Sequence, residues 1–291
     1  MLKMIRGVAM AMLVMVAGQA NAQAVEEDPL AAFIASLQFQ QGEVAVPEAN
    51  ARLRLTDGFR YLGKADARRV LEEFWGNPPD DTVLGMLVPT ADGLDSDHSW
   101  AVILTWSDDG YVSDQDAAEI DYADLLEQMQ DETRDSNEYL AEAGYPTVEL
   151  VGWAQAPRYD PEHKRLHWAQ HLQFEGSENG TLNYDIRVLG RRGYLSMNAV
   201  ADIRDLDRVN AGMAKVLGMA SFTEGNRYAD YVEGDHTAAY GLAALVGGGL
   251  AAKTGLLAKL GLFLAKFWKL LVFGGIGLAA VIGKLRGKKA D

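Results

Sequence analysis

Four runs between residues 147 and 200 leave the chain little freedom of architecture. TVELVGW (147–153), RLHWAQHLQF (165–174), TLNYDIRVL (181–189) and YLSMNAV (194–200) alternate apolar with polar side chains. That period of two, carried by β-branched and aromatic residues, is the pattern of strands with two unlike faces. Asn179-Gly180 and the GRRG of 190–193 separate the last three runs, and both supply residues that accept positive φ, as tight hairpins require. Strands joined by two-residue hairpins run antiparallel. The expected product is an antiparallel β-meander on which the remaining elements pack.

Those elements can be read from the same periodicities. LRLTDGFRYLG (53–63) places Asp57-Gly58 between two short β-leaning runs and predicts a further hairpin. TVLGMLV (82–88) and SWAVILTW (99–106) read as buried strands bounded by Pro, Gly and Asp. Asp66 precedes a run that sets Ala67, Val70, Leu71 and Phe74 on one helical face, with Gly76 as its terminator. Residues 121–143 bring Tyr122, Leu126, Met129, Leu140 and Ala143 to one side of a helix and acids to the other. Residues 205–220 direct Leu206, Val209, Met213, Val216 and Leu217 inward. With no internal repeat and no low-complexity linker, the fold class is α+β: an antiparallel β-meander packed with amphipathic helices, followed by a C-terminal transmembrane helix.

The transmembrane element is inferred from the two ends. Lys3 and Arg6, an apolar run over 7–18 and Ala20-Asn21-Ala22 make a signal peptide, assigned to residues 1–24. That run is shorter than the ~20 apolar residues a span needs. Near the other end, residues 267–282 carry Lys269 as their sole charge, and as a helix they would cover about 24 Å. Phe267 and Trp268 fall where an aromatic belt lies, Lys266 and Lys269 can reach the same interface, and Lys284, Arg286, Lys288 and Lys289 supply inside cations. The expected organisation is residues 25–235 as the periplasmic α+β domain, 236–265 as an apolar lead-in helix region, 266–284 as the transmembrane helix and 285–291 as a basic cytoplasmic tail. Residues 237–252 are apolar enough to raise a second crossing. Two crossings would return Lys288 and Lys289 to the periplasm against the positive-inside tendency, so a single span is expected. The location this implies is the inner membrane of a Gram-negative bacterium, with the lipid bilayer as a partner through the C-terminal helix.

Charge is segregated along the chain. Residues 23–235 hold 17 basic and 40 acidic side chains, whereas 236–291 hold 8 basic residues against Asp291 alone. A body of that sign repels phosphate backbones, so no nucleic-acid partner is expected. Zero cysteines exclude disulfides, thiol nucleophiles and thiolate metal sites, and they suit an oxidising compartment.

The residues that carry chemistry offer few constellations. His163, His167 and His171 would stack on one face of a helix, but Leu166, Trp168, Leu172 and Phe174 recur at period two. On a strand, histidines four apart are separated by ~13 Å and cannot share an ion. No metal site and no cofactor are therefore expected. The acids at 92–97 and 108–116 lack the spacing of a calcium loop. Ser196 lacks a nucleophile elbow. Carboxylates are too many for a general acid and base to be chosen among them. WAQAPRYD (153–160) and RYADY (227–231) set Arg beside aromatic rings. Cation–π packing accounts for such pairs, and a ligand pocket lined by Trp153, Arg158, Tyr159, Arg227 and Tyr228 is the alternative.

LVGWAQAPRYD (150–160), HKRLHWA (163–169), TLNYDIRVLGRRGYLSMNAV (181–200) and RYADYVEGD (227–235) together resemble the domain of unknown function 2167, a family of membrane-anchored bacterial proteins. The resemblance runs from about residue 41 to residue 289. It implies an exported domain with a C-terminal membrane anchor and supplies no activity, substrate or catalytic residue. Such proteins do not require histidine at 167 or 171, which counts further against a metal. The expected role is a non-catalytic envelope interaction or ligand-binding module, with an envelope or inner-membrane protein as a further partner. The rivals are an envelope hydrolase with an unrecognised carboxylate or Ser/His site, and an accessory subunit of an inner-membrane complex packing through its glycine-rich stretches.

Overall fold

The computed structural model describes residues 28–142 and 144–247. In chain order these form α1 (Pro29–Ala35), β1 (Phe39–Gln40), β2 (Glu43–Val46), β3 (Ala51–Arg54), β4 (Phe59–Gly63), α2 (Lys64–Arg69), β5 (Val83–Pro89), β6 (Ala101–Ser107), β7 (Tyr111–Ser113), α3 (Tyr122–Glu142), β8 (Val148–Asp160), β9 (Arg165–Phe174), β10 (Thr181–Leu189), β11 (Tyr194–Asp202), α4 (Leu206–Val216), β12 (Ala220–Phe222), β13 (Thr237–Gly241) and α5 (Leu242–Gly247). The class is α+β around a large antiparallel sheet of eight strands in the order β1-β4-β5-β6-β11-β10-β9-β8.

The expected meander is β8 to β11, with hairpins at the two predicted turns. Thr181 pairs with Leu172 across the first, and Leu189 with Tyr194 across the second, where Gly190 N–H donates to Gly193 O at 2.8 Å. β11 then pairs with β6, Met197 opposite Leu104, and this joins the meander to the β4-β5-β6 hairpins.

Each face of the sheet is covered differently. On one face Leu182, Tyr184, Ile186, Leu195, Met197, Val102 and Leu104 meet α4 through Val209, Met213 and Val216, which are fully buried. Burying each such side chain contributes about 1.5–3 kcal/mol. A three-stranded sheet, β12-β3-β2, closes the same core with Leu53, Val44 and Val46. On the other face there are two separate apolar clusters. Ala67, Val70 and Leu71 of the α2 segment pack on Leu62, Met86 and Ile103 at the β4-β5-β6 end. Met129 and Leu140 of α3 and Leu242, Leu245 and Val246 of α5 pack with Leu166, Trp168, Leu172 and Phe174 at the β8-β9 end.

Four expectations change. β3 and β4 do not pair: β3 lies between β2 and β12, and β4 between β1 and β5. Leu53 and Phe59 enter the same core from opposite layers, so Asp57-Gly58 carries the chain from one layer to the other instead of folding it back beside itself. The second helix gives way to a π-helical turn over Val70–Phe74. The fourth stops at Val216, because residues 220–222 are needed as a strand against Ala51 to Leu53. Finally, the first part of the expected lead-in region, residues 236–247, packs into the domain as a strand and a short helix, and its remainder, 248–265, lies outside the described residues. Thr237–Gly241 is a strand running parallel to β7, and Leu242 is fully buried. Within residues 237–247 this packing leaves no membrane-crossing segment. Among the described residues no helix is long and apolar enough to cross a membrane. The signal peptide at 1–24, the span at 266–284 with Phe267, Trp268, Lys269, Lys284, Arg286, Lys288 and Lys289 at its borders, and the tail at 285–291 lie outside the described residues.

Candidate functional site

Between the two apolar clusters, the middle of the large sheet is polar. Register produces this: Ser196 lies opposite Arg187 and Thr105, Asn198 opposite Asp185 and Ile103, and Asn183 opposite Gln170. Alternation along β10 and β11 sends Leu182, Tyr184, Ile186, Leu195 and Met197 into the sandwiched core and brings Asn183, Asp185, Arg187, Ser196 and Asn198 to the other face.

This polar seam is buried, with Asn183, Asp185, Ser196 and Asn198 between 5% and 8% exposed. Its side chains therefore have to bond one another. Arg187 Nη1 donates to Asp185 Oδ1 at 2.7 Å and to Ser196 Oγ at 2.6 Å. The guanidinium also lies 5.1 Å from the Trp168 ring centroid and 5.7 Å from that of Tyr194, within cation–π range of both. Asn198 Nδ2 donates to Asn183 Oδ1 at 2.7 Å, and Asn183 Nδ2 to Gln170 Oε1 at 3.1 Å and Asp185 Oδ2 at 3.3 Å. The network is incomplete. Arg187 Nε, Asn198 Oδ1 and Trp168 Nε1 are buried without a partner, and each such group costs about 1–3 kcal/mol.

A second cluster surrounds Asp114. Its Oδ2 accepts from Tyr159 Oη at 2.6 Å and Lys164 Nζ at 2.7 Å, and Tyr228 Oη stands 3.0 Å from Oδ1. Lys164 Nζ also lies 4.9 Å from the Tyr228 ring centroid, and Tyr111 stacks between Tyr228 and Tyr231 at 4.4 and 4.1 Å. Burial alone would raise the Asp114 carboxyl, but the hydrogen bonds from Lys164, Tyr159 and Tyr228 outweigh it and hold the group below its ordinary range. Burial, then the Asp114 carboxylate, push the Tyr159 hydroxyl up; Tyr228 rises for the same two reasons, with a hydrogen bond to Tyr111 between them. With every oxygen engaged, the cluster rivets β7, the β8–β9 turn and residues 228–231 together.

The five residues picked from the sequence do not form one pocket. Tyr159 and Tyr228 meet at Asp114. Trp153 donates from Nε1 to Tyr122 O at 3.1 Å and fixes the start of α3. Arg158 is exposed and pairs with His167 on β9; adjacent strand residues point to opposite faces, so it cannot follow Tyr159 inward. Arg227 is exposed and is held by its backbone, its N–H donating to Asp230 Oδ2 at 2.9 Å and its carbonyl accepting from Asp230 N–H at 3.0 Å. The cation over Tyr228 is Lys164.

His167 and His171 lie on strand β9, as the period-two reading required. They register with Ile186 and Leu182 and so share the face opposite Ser196. His167 Nδ1 is 3.1 Å from both Tyr184 Oη and Gln155 Nε2, and burial, followed by Arg158, lowers its pKa. His163 sits in the β8–β9 turn, with Nδ1 2.7 Å from Asp160 Oδ2. Among the described residues, no three His, Asp or Glu side chains are placed to hold a metal ion.

A family model described as protein of unknown function (DUF2167) matches residues 38–277. The chain belongs to the DUF2167 family. The family match takes in every strand from β1 to β13, and with them the seam and the Asp114 cluster. No curated protein matches this DUF2167 member. Among solved structures it is similar to cyanobacterial PsbP (CyanoP) from Synechocystis sp. PCC 6803, at 11% identity and a TM-score of 0.35, over 65% of this chain and 94% of that one.

Proposed function

We propose that this DUF2167 member is a non-catalytic binding module of the bacterial envelope, and that its ligand is held on the seam around Arg187. Export by residues 1–24, a single span over 266–284 and a periplasmic body form part of the same reading, supported by the sorting of cations to the two ends of the chain. The observation that carries the binding role is the set of buried, unpartnered polar atoms at Arg187, Asn198 and Trp168. A network kept only for stability would be complete or apolar, since half-satisfied buried networks are worse than either.

Binding suits these residues better than catalysis. Asp185 is paired with a cation, not a second carboxylate, so the arrangement lacks the coupled acids of a hydrolase. Ser196 Oγ accepts from Arg187, and His167 and His171 are on the far side of the sheet, so neither histidine of β9 can activate the hydroxyl.

Native mass spectrometry of the full-length protein, released gently from its own membranes, tests the proposal. The wild type should carry a bound mass that the double variant Asp185→Asn, Arg187→Gln has lost. A mass retained by both, or absent from both, refutes the seam as a site.

A further inference from the structure

We infer that the ligand of the seam is neutral and rich in hydroxyl groups, a saccharide in chemical class. This rests on the proposal that the seam binds a ligand, and adds what that ligand must be.

The first argument is charge. Arg187 is the cation of the seam and Asp185 neutralises it at 2.7 Å; Gln170, Asn183, Ser196 and Asn198 are uncharged. A charged ligand would give up its hydration on entry and find no uncompensated counter-charge, which is a large penalty in a buried site.

The second argument is the sign of the unpartnered atoms. Arg187 Nε and Trp168 Nε1 are donors, and Asn198 Oδ1 is an acceptor. A carboxylate or phosphate satisfies the two donors and leaves the acceptor bare. An ammonium group does the reverse. A hydroxyl is donor and acceptor at once, so a ligand rich in hydroxyls can meet groups of both signs. The amide and carboxamide groups of Asn183, Asn198 and Gln170 add planar donor and acceptor pairs of the kind that bracket neighbouring hydroxyls.

The third argument is position. A peptide also brings donors and acceptors, but it is recognised efficiently by adding its backbone to a free strand edge. The seam lies on the face of β10 and β11, whose edges are both taken, by β9 and by β6. Only side chains can read a ligand there. The Tyr194 ring, half-buried beside Arg187, offers an apolar surface for the C–H face of a sugar ring. The Arg187 side chain keeps 17% of its surface exposed, against 7% for Asp185, and is the solvent-facing member of the pair.

The test uses full-length protein in a detergent without a sugar headgroup. Ligand-observed saturation-transfer NMR is run with maltotriose, the trimer of N-acetylglucosamine, trialanine and inorganic phosphate. At least one trisaccharide should saturate, with affinity falling tenfold or more in Asn198→Leu; that variant also takes the donor from Asn183 Oδ1, so its thermal melt is recorded alongside to show that it is folded at the assay temperature. Trialanine and phosphate should give no saturable signal. Co-sedimentation with chitin then separates the sources: binding to the trimer alone indicates a soluble sugar, and binding to both a polysaccharide strand. Saturation by phosphate or trialanine, lost in Asn198→Leu, overturns the hydroxyl inference and leaves the seam standing. Silence from all four probes also overturns it, and the retained mass in the preceding experiment then judges the seam independently.

Discussion

Replacing Arg187 by Met removes the guanidinium and keeps the aliphatic stem. What remains is the Asp185 carboxylate, whose side chain is 7% exposed, with weak donors at Asn183 for company. Breaking one partner of a buried ion pair costs about 3–5 kcal/mol, and because Arg187 itself keeps some solvent contact the lower end applies, about 3 kcal/mol. For a domain of roughly 200 residues each kcal/mol moves the thermal midpoint by about 2–4 °C, so Arg187→Met should lower it by about 6–12 °C. The pair is different. Asp185→Leu with Arg187→Met removes both charges and their desolvation together, and should return the midpoint to the wild-type value or above it. Differential scanning fluorimetry of the full-length protein in micelles reads all three proteins on one scale. If Arg187→Met shifts the midpoint by less than about 2 °C, or if the double variant loses at least as much as Arg187→Met, the pair is not buried in the sense argued and the seam has no special energetics.

Other consequences are as direct. Because the folded Asp114 carboxyl is held below its ordinary value of 3.8, its contribution is present above that pH and is lost as pH falls through the lower folded value. The thermal midpoint should therefore drop more steeply below about pH 4 in the wild type than in Asp114→Asn, and equal slopes would count against the Lys164, Tyr159 and Tyr228 bonds. A methyl group at Gly193 would sit 1.8 Å from Ser107 O, a backbone atom that cannot turn away; Gly193→Ala should cost at least about 2 kcal/mol, read as a fall in the thermal midpoint. A fluorescent reporter that matures only in the cytosol, fused after Asp291, should be bright, and a dark fusion with an active periplasmic reporter would reverse the assigned orientation.

The meander could be read in advance because three local signals agreed on it: alternation, β-branched content and turn residues that tolerate positive φ. The hairpin expected at Asp57-Gly58 failed because a turn signal says that the chain reverses, not which layer it re-enters. The seam was hidden for a related reason. Asn183, Asp185, Arg187, Ser196 and Asn198 occupy the polar beats of an ordinary amphipathic strand, which on sequence grounds face water. Only the pairing of β11 with β6, more than ninety residues away along the chain, puts those beats at the centre of a wide sheet. Arg158 and Arg227 misled because nearness in sequence to a ring was taken for nearness in space, whereas strand alternation separates Arg158 from Tyr159, and the turn at 228–230 buries Tyr228 while leaving Arg227 exposed. Residues 237–247 looked like membrane approach because a strand and helix buried by a domain and a segment bound for lipid share the same apolar composition.

The split of one sheet face into two apolar clusters bears on how the molecule breathes. α1 and α2 are glued to one end of the sheet, α3 and α5 to the other, and among the described residues the two apolar clusters stay separate across the polar middle. Each helical layer can therefore loosen on its own, so the amides of α2 and of α3 should exchange with solvent at independent rates while β10 and β11 stay protected until the whole domain opens.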